Sequence, residues 1–512
     1  MTSRAGQLAR AATIVMAAFV ASRALGLVRE MIIARQFGTS LELGAYLAAF
    51  RVPDIIFQLI AGGALGSAFI PTFTGYLAHG DEAEAWRLAS AVFNIAALLL
   101  TACALVAALF APRLATLIVP GFDPQAQALT ARLMRLMLIS PVVFGLSGIS
   151  MGVLNSYQHF LLPALAPVVY NLSIIGGALF LAPILGIHGL AVGVVVGSGL
   201  HLLIQVPMLL RKGLTYTPAL LLDHPGVREI GRLMLPRVAG LAAVQVNFLV
   251  NTILASGLGE EALPALNYAW LLMLLPQGVF AMAIATALFP TFSELAAREQ
   301  TAELRRTLSA ALRVVWYLTI PASVGLVILQ RPLIRALLER GRFTGASTDA
   351  VAWALGFYAL GLFAHATVEI VTRAYYALHD TRTPVLIGVG AMACNVALSL
   401  ILIRPLLHGG LALANSMAAI LEMLVLVLVL RARLGGVDGR RLVGSLARIG
   451  AAAGLMGLAV TWFVQARWLS SPLFLVGGGV FLGTSIYFAA SLLLGAQEVA
   501  ALRRLVRRWR EE

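Results

Sequence analysis

Ala68-Phe69-Ile70-Pro71-Thr72-Phe73 returns 219 residues further on as Ala287-Leu288-Phe289-Pro290-Thr291-Phe292. Each copy lies within an apolar run, and a Pro-Thr-Phe ending at the same spacing is an improbable coincidence. A looser match, Tyr157-Gln158-His159 with Pro163 against the stretch Tyr376 to Pro384, has nearly the same offset. The chain therefore reads as two copies of one unit. Each unit takes six apolar segments. Because six is even, both copies cross in the same orientation, related by an axis along the membrane normal with a central cavity between them.

The membrane enters through composition. Of 512 residues, 60% are hydrophobic and 12% charged, with a mean hydropathy of +0.91. A single soluble core cannot bury that much apolar surface, so lipid must be the solvent. Breaking the sequence at charged, Pro-rich and Gly-rich points predicts spans at 12–36, 44–76, 86–111, 127–152, 157–183, 187–210, 229–256, 264–294, 306–329, 349–376, 383–405, 409–432, 443–466 and 472–496. The expected fold is an all-α polytopic membrane protein of about fourteen helices. Residues 1–220 form an N-terminal six-helix lobe, 221–435 a C-terminal one, and 436–512 two additional helices with a basic tail. The first run, Ala11 to Ala34, carries Arg23, Arg29 and Glu30 and no small-residue cleavage site, so it reads as a span rather than a removed signal.

The formal net charge of +14 comes almost wholly from arginine, Lys212 being the one lysine. Lys and Arg gather in short cytoplasmic loops. Arg4 and Arg10, then Arg211, Lys212 and Arg228, Arg298, Arg305 and Arg306, Arg431, Arg433, Arg440 and Arg441, and Arg503 to Arg510 fall on one side of the fourteen-span topology. Both termini are thus expected in the cytoplasm, and no nucleic-acid partner is needed to explain the charge. The loop from Arg331 to Arg342 falls on the other side despite four arginines. Cys103 and Cys394 lie far apart in apolar runs, without disulfide or metal-ligand spacing.

A charge at membrane depth costs roughly 2.5–3.5 kcal/mol on insertion scales, so it usually faces a bundle interior or a watery cavity. In span one, Arg23 and Glu30 are two helical turns apart and Arg29 one step round from Glu30, so all three fit one broad face. That face is either an internal ion pair or an anion-binding wall. Span two combines Arg51, Pro53, Asp54, Gln58 and Gly62-Gly63; Arg51 and Asp54, three apart, either pair or line the cavity. Span seven holds Arg237, Gln245, Asn247 and Asn251, and spans eleven and twelve hold Asn395, Asn415 and Ser416. Their amide oxygens could hold a cation, with Asn251, Asn395 and Asn415 the candidates, or they bond between helices. Glu369 and Arg373 read as an i,i+4 pair, with His365 beside them. The chain has no Walker loop, no Ser-His-Asp arrangement, no HExxH and no clustered acidic pair, so an enzyme is not expected.

Ser22-Arg23-Ala24-Leu25-Gly26-Leu27-Val28-Arg29-Glu30, Ala68-Phe69-Ile70-Pro71 and Tyr375-Tyr376-Ala377-Leu378-His379-Asp380-Thr381-Arg382-Thr383-Pro384 resemble the MurJ/MviN lipid II flippases, within the multidrug/oligosaccharidyl-lipid/polysaccharide exporter superfamily. The likeness covers essentially the whole chain, including Ala166-Pro167 and Asn171. It implies fourteen spans in two six-helix lobes plus two helices that form a groove for the lipid tail. It also implies translocation of the undecaprenyl-linked peptidoglycan precursor, lipid II, by alternating access, in the bacterial cytoplasmic membrane. The family's cavity arginines fall on Arg23 and Arg29, which would hold the pyrophosphate, its following acid on Glu30, and Arg51 extends the cationic wall. Three positions depart: Phe57 and Leu271 stand where many members have arginine, and Gly62-Gly63 where many have Glu-Gly. The acid through which some members bind sodium falls on Asn251, which is uncharged. No cofactor is called for, coupling to a monovalent cation or to the membrane potential stays open, and so does the oligomeric state. The alternatives are an exporter of another polyprenyl-linked oligosaccharide, a scaffold that has lost transport, or a cation-coupled drug exporter. The last should show an acid facing the C-terminal cavity, and none is evident.

Overall fold

In lipid a spanning segment must satisfy its backbone hydrogen bonds internally, and the chain does so with helices throughout. The computed structural model describes residues 4–60, 64–466, 471–496 and 498, and no strand occurs among them. By contacts the chain divides into two units, Met1–Glu261 with Gly341–Phe343, and Ala262–Arg340 with Thr344–Glu512.

The first unit contains α1 (Arg4–Phe37), α2 (Leu41–Ile60), α3 (Ala64–Ala78), α4 (Glu82–Leu109), α5 (Ala111–Ile118), α6 (Pro124–Ser156), α7 (Leu161–Leu185), α8 (Ile187–Arg211) and α9 (Pro225–Ser256). The second contains α10 (Ala262–Ala297), α11 (Thr301–Leu337), α12 (Gly345–Ala377), α13 (Arg382–Leu406), α14 (His408–Arg433), α15 (Gly439–Gln465) and α16 (Pro472–Leu493). Each of the fourteen segments read from the sequence coincides with helix, the second being shared by α2 and α3. Gly62-Gly63 and the tail arginines from Arg503 lie outside the described residues.

Twelve of the described helices are long and apolar enough to cross a membrane; α1 and α9 are not among them. In both helices part of the apolar stretch lies outside the described residues, and charged residues flank the rest. The second half of α1 carries Arg23, Arg29, Glu30 and Arg35, and the first half of α9 carries Arg228, Glu229, Arg232 and Arg237. Among the described residues, Val244–Ser256 of α9 is a shorter apolar stretch.

The repeated hexapeptide does equivalent packing in both units. Phe73 and Phe292, its closing aromatics, are both fully buried. Phe73 meets Trp86 and Tyr157 edge-on, with ring centroids 6.1 Å away in each case. Phe292 packs in a cluster with Leu304, Leu308, Ile370 and Tyr375. The crossing of α7 and α8 depends on small residues instead: a Cβ on Gly177 would lie 2.8 Å from both Gly189 O and Gly193 Cα, so only glycine lets the backbones approach this closely. Both α7 and α10 contain one wide π-helical turn, at Gly177–Leu181 and Gly278–Met282.

The repeat divides the chain after residue 220, whereas contacts divide it after Glu261. The difference is α9, whose Thr252 and Gln245 bond to Arg51 and Asp54 of α2. In the second unit α15 and α16 dock on α11 through a core of Tyr317, Leu329, Ile449, Met456, Val460 and Tyr487, and Tyr487 donates to Tyr317 O at 2.8 Å. The stretch from Tyr375 ends in a structural clasp: Asp380 accepts from the Arg382 and Thr383 N–H groups at 3.1 and 3.0 Å and from Arg433 at the end of α14.

Three of the four arginines between 331 and 342 form ion pairs. Arg331 pairs with Asp349 at 3.1 Å, Arg335 with Glu339 at 3.3 Å, and Arg342 with Glu42 at 3.4 Å. Arg340 donates to Ala336 O at 3.2 Å.

Candidate anion-binding site

Arg29 is held from two sides of its guanidinium. Its Nε and Nη2 both donate to Glu30 Oε1, at 3.2 and 2.6 Å, and its Nη1 donates to Asn171 Oδ1 at 3.0 Å. Asn171, on α7, is oriented by its other end: Nδ2 donates to Pro167 O at 3.0 Å and to Ser22 O at 3.4 Å. With the amide nitrogen committed to carbonyls, the amide oxygen has to face the guanidinium. The Arg29 side chain is 23% exposed and that of Glu30 10%. An arginine fork has five N–H donors, so the pinned guanidinium keeps donors for an incoming anion.

Arg23 stands apart from this pair. It is exposed and lies over the Phe19 ring at 5.2 Å, whereas the bonds of Arg29 go to Glu30 and Asn171. Arg51 turns to α9 instead: Nε donates to Thr252 Oγ1 at 3.0 Å, and the guanidinium lies 5.3 Å from the Phe248 ring centroid. Asp54 accepts from Gln245 at 3.4 Å on the same helix. The Arg237 side chain lies outside the described residues.

The candidate cation ligands divide between the units, Asn251 in the first and Asn395 and Asn415 in the second. Asn251 Oδ1 is buried without a hydrogen-bond partner among the described residues. Asn395 is buried on α13. Asn415 Oδ1 accepts from His365 Nε2 at 3.1 Å. Ser416 donates to Phe357 O, an interhelical bond. Glu369 and Arg373 form the expected i,i+4 pair at 2.9 Å. Among the described residues there is no group of three or more His, Cys, Asp or Glu that could hold a metal ion. Cys103 and Cys394 are free.

Of the departing positions, Phe57 is itself a ring and Leu271 has one beside it. Phe57 packs against Phe144 at 5.7 Å, which in turn meets Tyr170 at 4.9 Å. Next to half-buried Leu271, Trp270 stands edge-on to Tyr358 at 5.3 Å and to His365 at 5.6 Å. One acid was passed over in the sequence: Glu422, halfway along α14, has its Oε1 3.4 Å from where a Gly388 Cβ would lie. A single carboxylate in an otherwise apolar 20-residue run was the signal available for it.

Residues 33–477 match the family model described as lipid II flippase MurJ. The probable lipid II flippase MurJ of Vibrio cholerae serotype O1 is 31% identical over 510 residues, covering 96% of this chain and 97% of that protein. The lipid II flippase MurJ of Burkholderia cenocepacia is 32% identical over 420 residues, covering 80% and 81%. Among solved structures, a lipid II flippase MurJ in an inward closed conformation aligns with a TM-score of 0.80 at 25% identity, over 94% of this chain and 98% of that one. An inward-facing MATE multidrug transporter aligns with a TM-score of 0.70 at 14% identity, over 81% and 94%, a likeness of fold alone. With its fold, its repeat and its family match in agreement over most of its length, the chain belongs to the MurJ family of lipid II flippases.

Proposed function

We propose that this protein translocates lipid II, the undecaprenyl-pyrophosphate-linked peptidoglycan precursor, across the bacterial cytoplasmic membrane, as a transporter and not an enzyme. The physical task is set by the cargo. A pyrophosphate and its sugars cannot cross hydrocarbon unaided, whereas the polyprenyl tail never has to leave it. The observation that carries the reading is Arg29, held ready by Glu30 and Asn171 within a MurJ-family fold. Arg29 binds the pyrophosphate, Glu30 and Asn171 orient it, and Arg51 and Arg23 supply further positive charge. With rings at Phe57 and beside Leu271, the grip on the anion rests on the first unit. Helices α15 and α16 provide the apolar flank for the tail, and both termini face the cytoplasm.

The test is complementation of a bacterium depleted of its own lipid II flippase, with membrane levels confirmed for each variant. The wild-type chain restores growth and Arg29→Ala does not. No rescue by a well-expressed wild-type chain would assign the protein to another polyprenyl-linked glycan.

A further inference from the structure

At the starts of α11 and α15, a hollow of about 650 Å³ is lined by Arg305, Arg306, Asp438, Gly439, Arg440 and Arg441. Four guanidiniums face one carboxylate there. Asp438 approaches Arg305 at 3.7 Å, beyond hydrogen-bond reach, and the Arg305 Nε is buried with no hydrogen-bond partner among the described residues. Arg306, Arg440 and Arg441 are exposed and form no ion pair among the described residues. The hollow thus has an excess of positive charge, with three exposed guanidiniums, which is the chemistry that receives a phosphate.

Its floor adds to this. Asp438 precedes α15 at φ 51° and makes no side-chain cap to the helix, so the positive end of a 27-residue helix opens into the same space, as in anion sites at helix N-termini. Beyond the arginines, Val443 and Leu446 on α15 are 68% and 41% exposed. Arg440 and Val443 are three residues apart and share one helix face. A charged hollow that continues into an exposed apolar strip on a spanning helix matches an amphiphile: phosphate above, acyl chain alongside.

We propose that the hollow of Arg305, Arg306, Arg440 and Arg441 binds the phosphate of an anionic membrane phospholipid, whose acyl chain lies along Val443 and Leu446. The site is separate from the arginines of α1 and α2 and does not depend on which glycan the protein moves. The alternative is that these arginines only fix the orientation of the chain in the membrane.

The experiment titrates the full-length protein in detergent with phosphatidylglycerol, phosphatidylcholine or inorganic phosphate, reading bound lipid by native mass spectrometry and the thermal midpoint. Phosphatidylglycerol is expected to bind and raise the midpoint where phosphatidylcholine does not. The triple variant Arg306→Gln, Arg440→Gln, Arg441→Gln is expected to weaken that binding roughly a hundredfold, at about fivefold per arginine near a phosphate. Lysine at the same three positions keeps most of the binding. If the triple glutamine variant does not fold, Arg306→Gln alone reads the contact at about fivefold. Equal binding of the two lipids, or unchanged affinity in the glutamine variants, overturns the proposal. Inorganic phosphate acting as strongly as phosphatidylglycerol overturns the assignment to a lipid.

Discussion

In the first unit the guanidiniums of Arg29 and Arg51 are each anchored by a side chain from another helix, Asn171 and Thr252. In the second unit the residue one repeat offset from Arg51 is Trp270, and its neighbours are Tyr358, His365 and, through His365, Asn415. The repeat offset from Arg29 leads to Phe248, the ring under Arg51. Duplication has kept the proline-aromatic hexapeptide, which packs the core, and changed the positions that meet polar chemistry. At these two positions one copy has a guanidinium where the other has an aromatic ring, which points to different tasks for the two copies.

The strongest way to break that comparison is to truncate both sides of it. In proteoliposomes, Arg29→Ala is expected to slow lipid II translocation by about a hundredfold or more, since bonds to charged groups contribute about 1.5–3 kcal/mol each. Trp270→Ala is expected to slow it about tenfold, the loss of an aromatic contact. A larger loss from Trp270 than from Arg29 would reverse the division of labour.

A finer test compares the anchors. Asn171→Ala leaves Arg29 with Glu30 alone, and an affinity loss of about tenfold for the diphosphate is expected. Thr252→Val removes one bond from Arg51, whose guanidinium still lies over Phe248, and about threefold is expected. Isothermal titration with a soluble lipid II analogue measures both. Equal effects would show that Arg51 is as central as Arg29.

The smallest effect tests structure rather than binding. Burial pushes the Asp380 carboxyl up, but its bonds to Thr383 and Arg433 outweigh this and hold it below the ordinary value of 3.8. A group with a lowered folded value stabilises fully above its unfolded value and loses that contribution as pH falls through the folded one. Asp380→Asn should therefore lower the thermal midpoint at pH 7, by a clasp of about 1 kcal/mol, and the gap from wild type should close as the pH is taken below about 3.8. A gap that persists in acid would mean that the clasp does not depend on the carboxylate's charge.

What the sequence made legible follows from range. Apolar runs, the repeat and the Arg29-Glu30 adjacency are local or periodic, and they emerged as helices, matched cores and an ion pair. Asn171 entered only through resemblance, because its bond to Arg29 spans 142 residues. Helical phase groups Arg23 with Arg29 and Glu30 but does not show which neighbour each side chain meets, and Arg23 meets Phe19, one turn away. The grouping of α9 with the first unit was hidden for the same reason, since tertiary bonds to Arg51 and Asp54 decide it. Glu422 was visible as a letter and overlooked amid its apolar surroundings.

The wide turn at Gly278–Met282 in α10 acts as a phase shifter. An α-helix advances about 100° per residue, so a turn holding one residue more resets the angular register of everything after it. Trp270 before the turn and Phe292 after it are thereby aimed independently, one at the polar cluster and the other at the core. Length in this segment is consequently a stricter constraint than side-chain identity. Removing one residue from it would swing the hexapeptide off its packing surface, while substitutions that keep the count leave both aims intact.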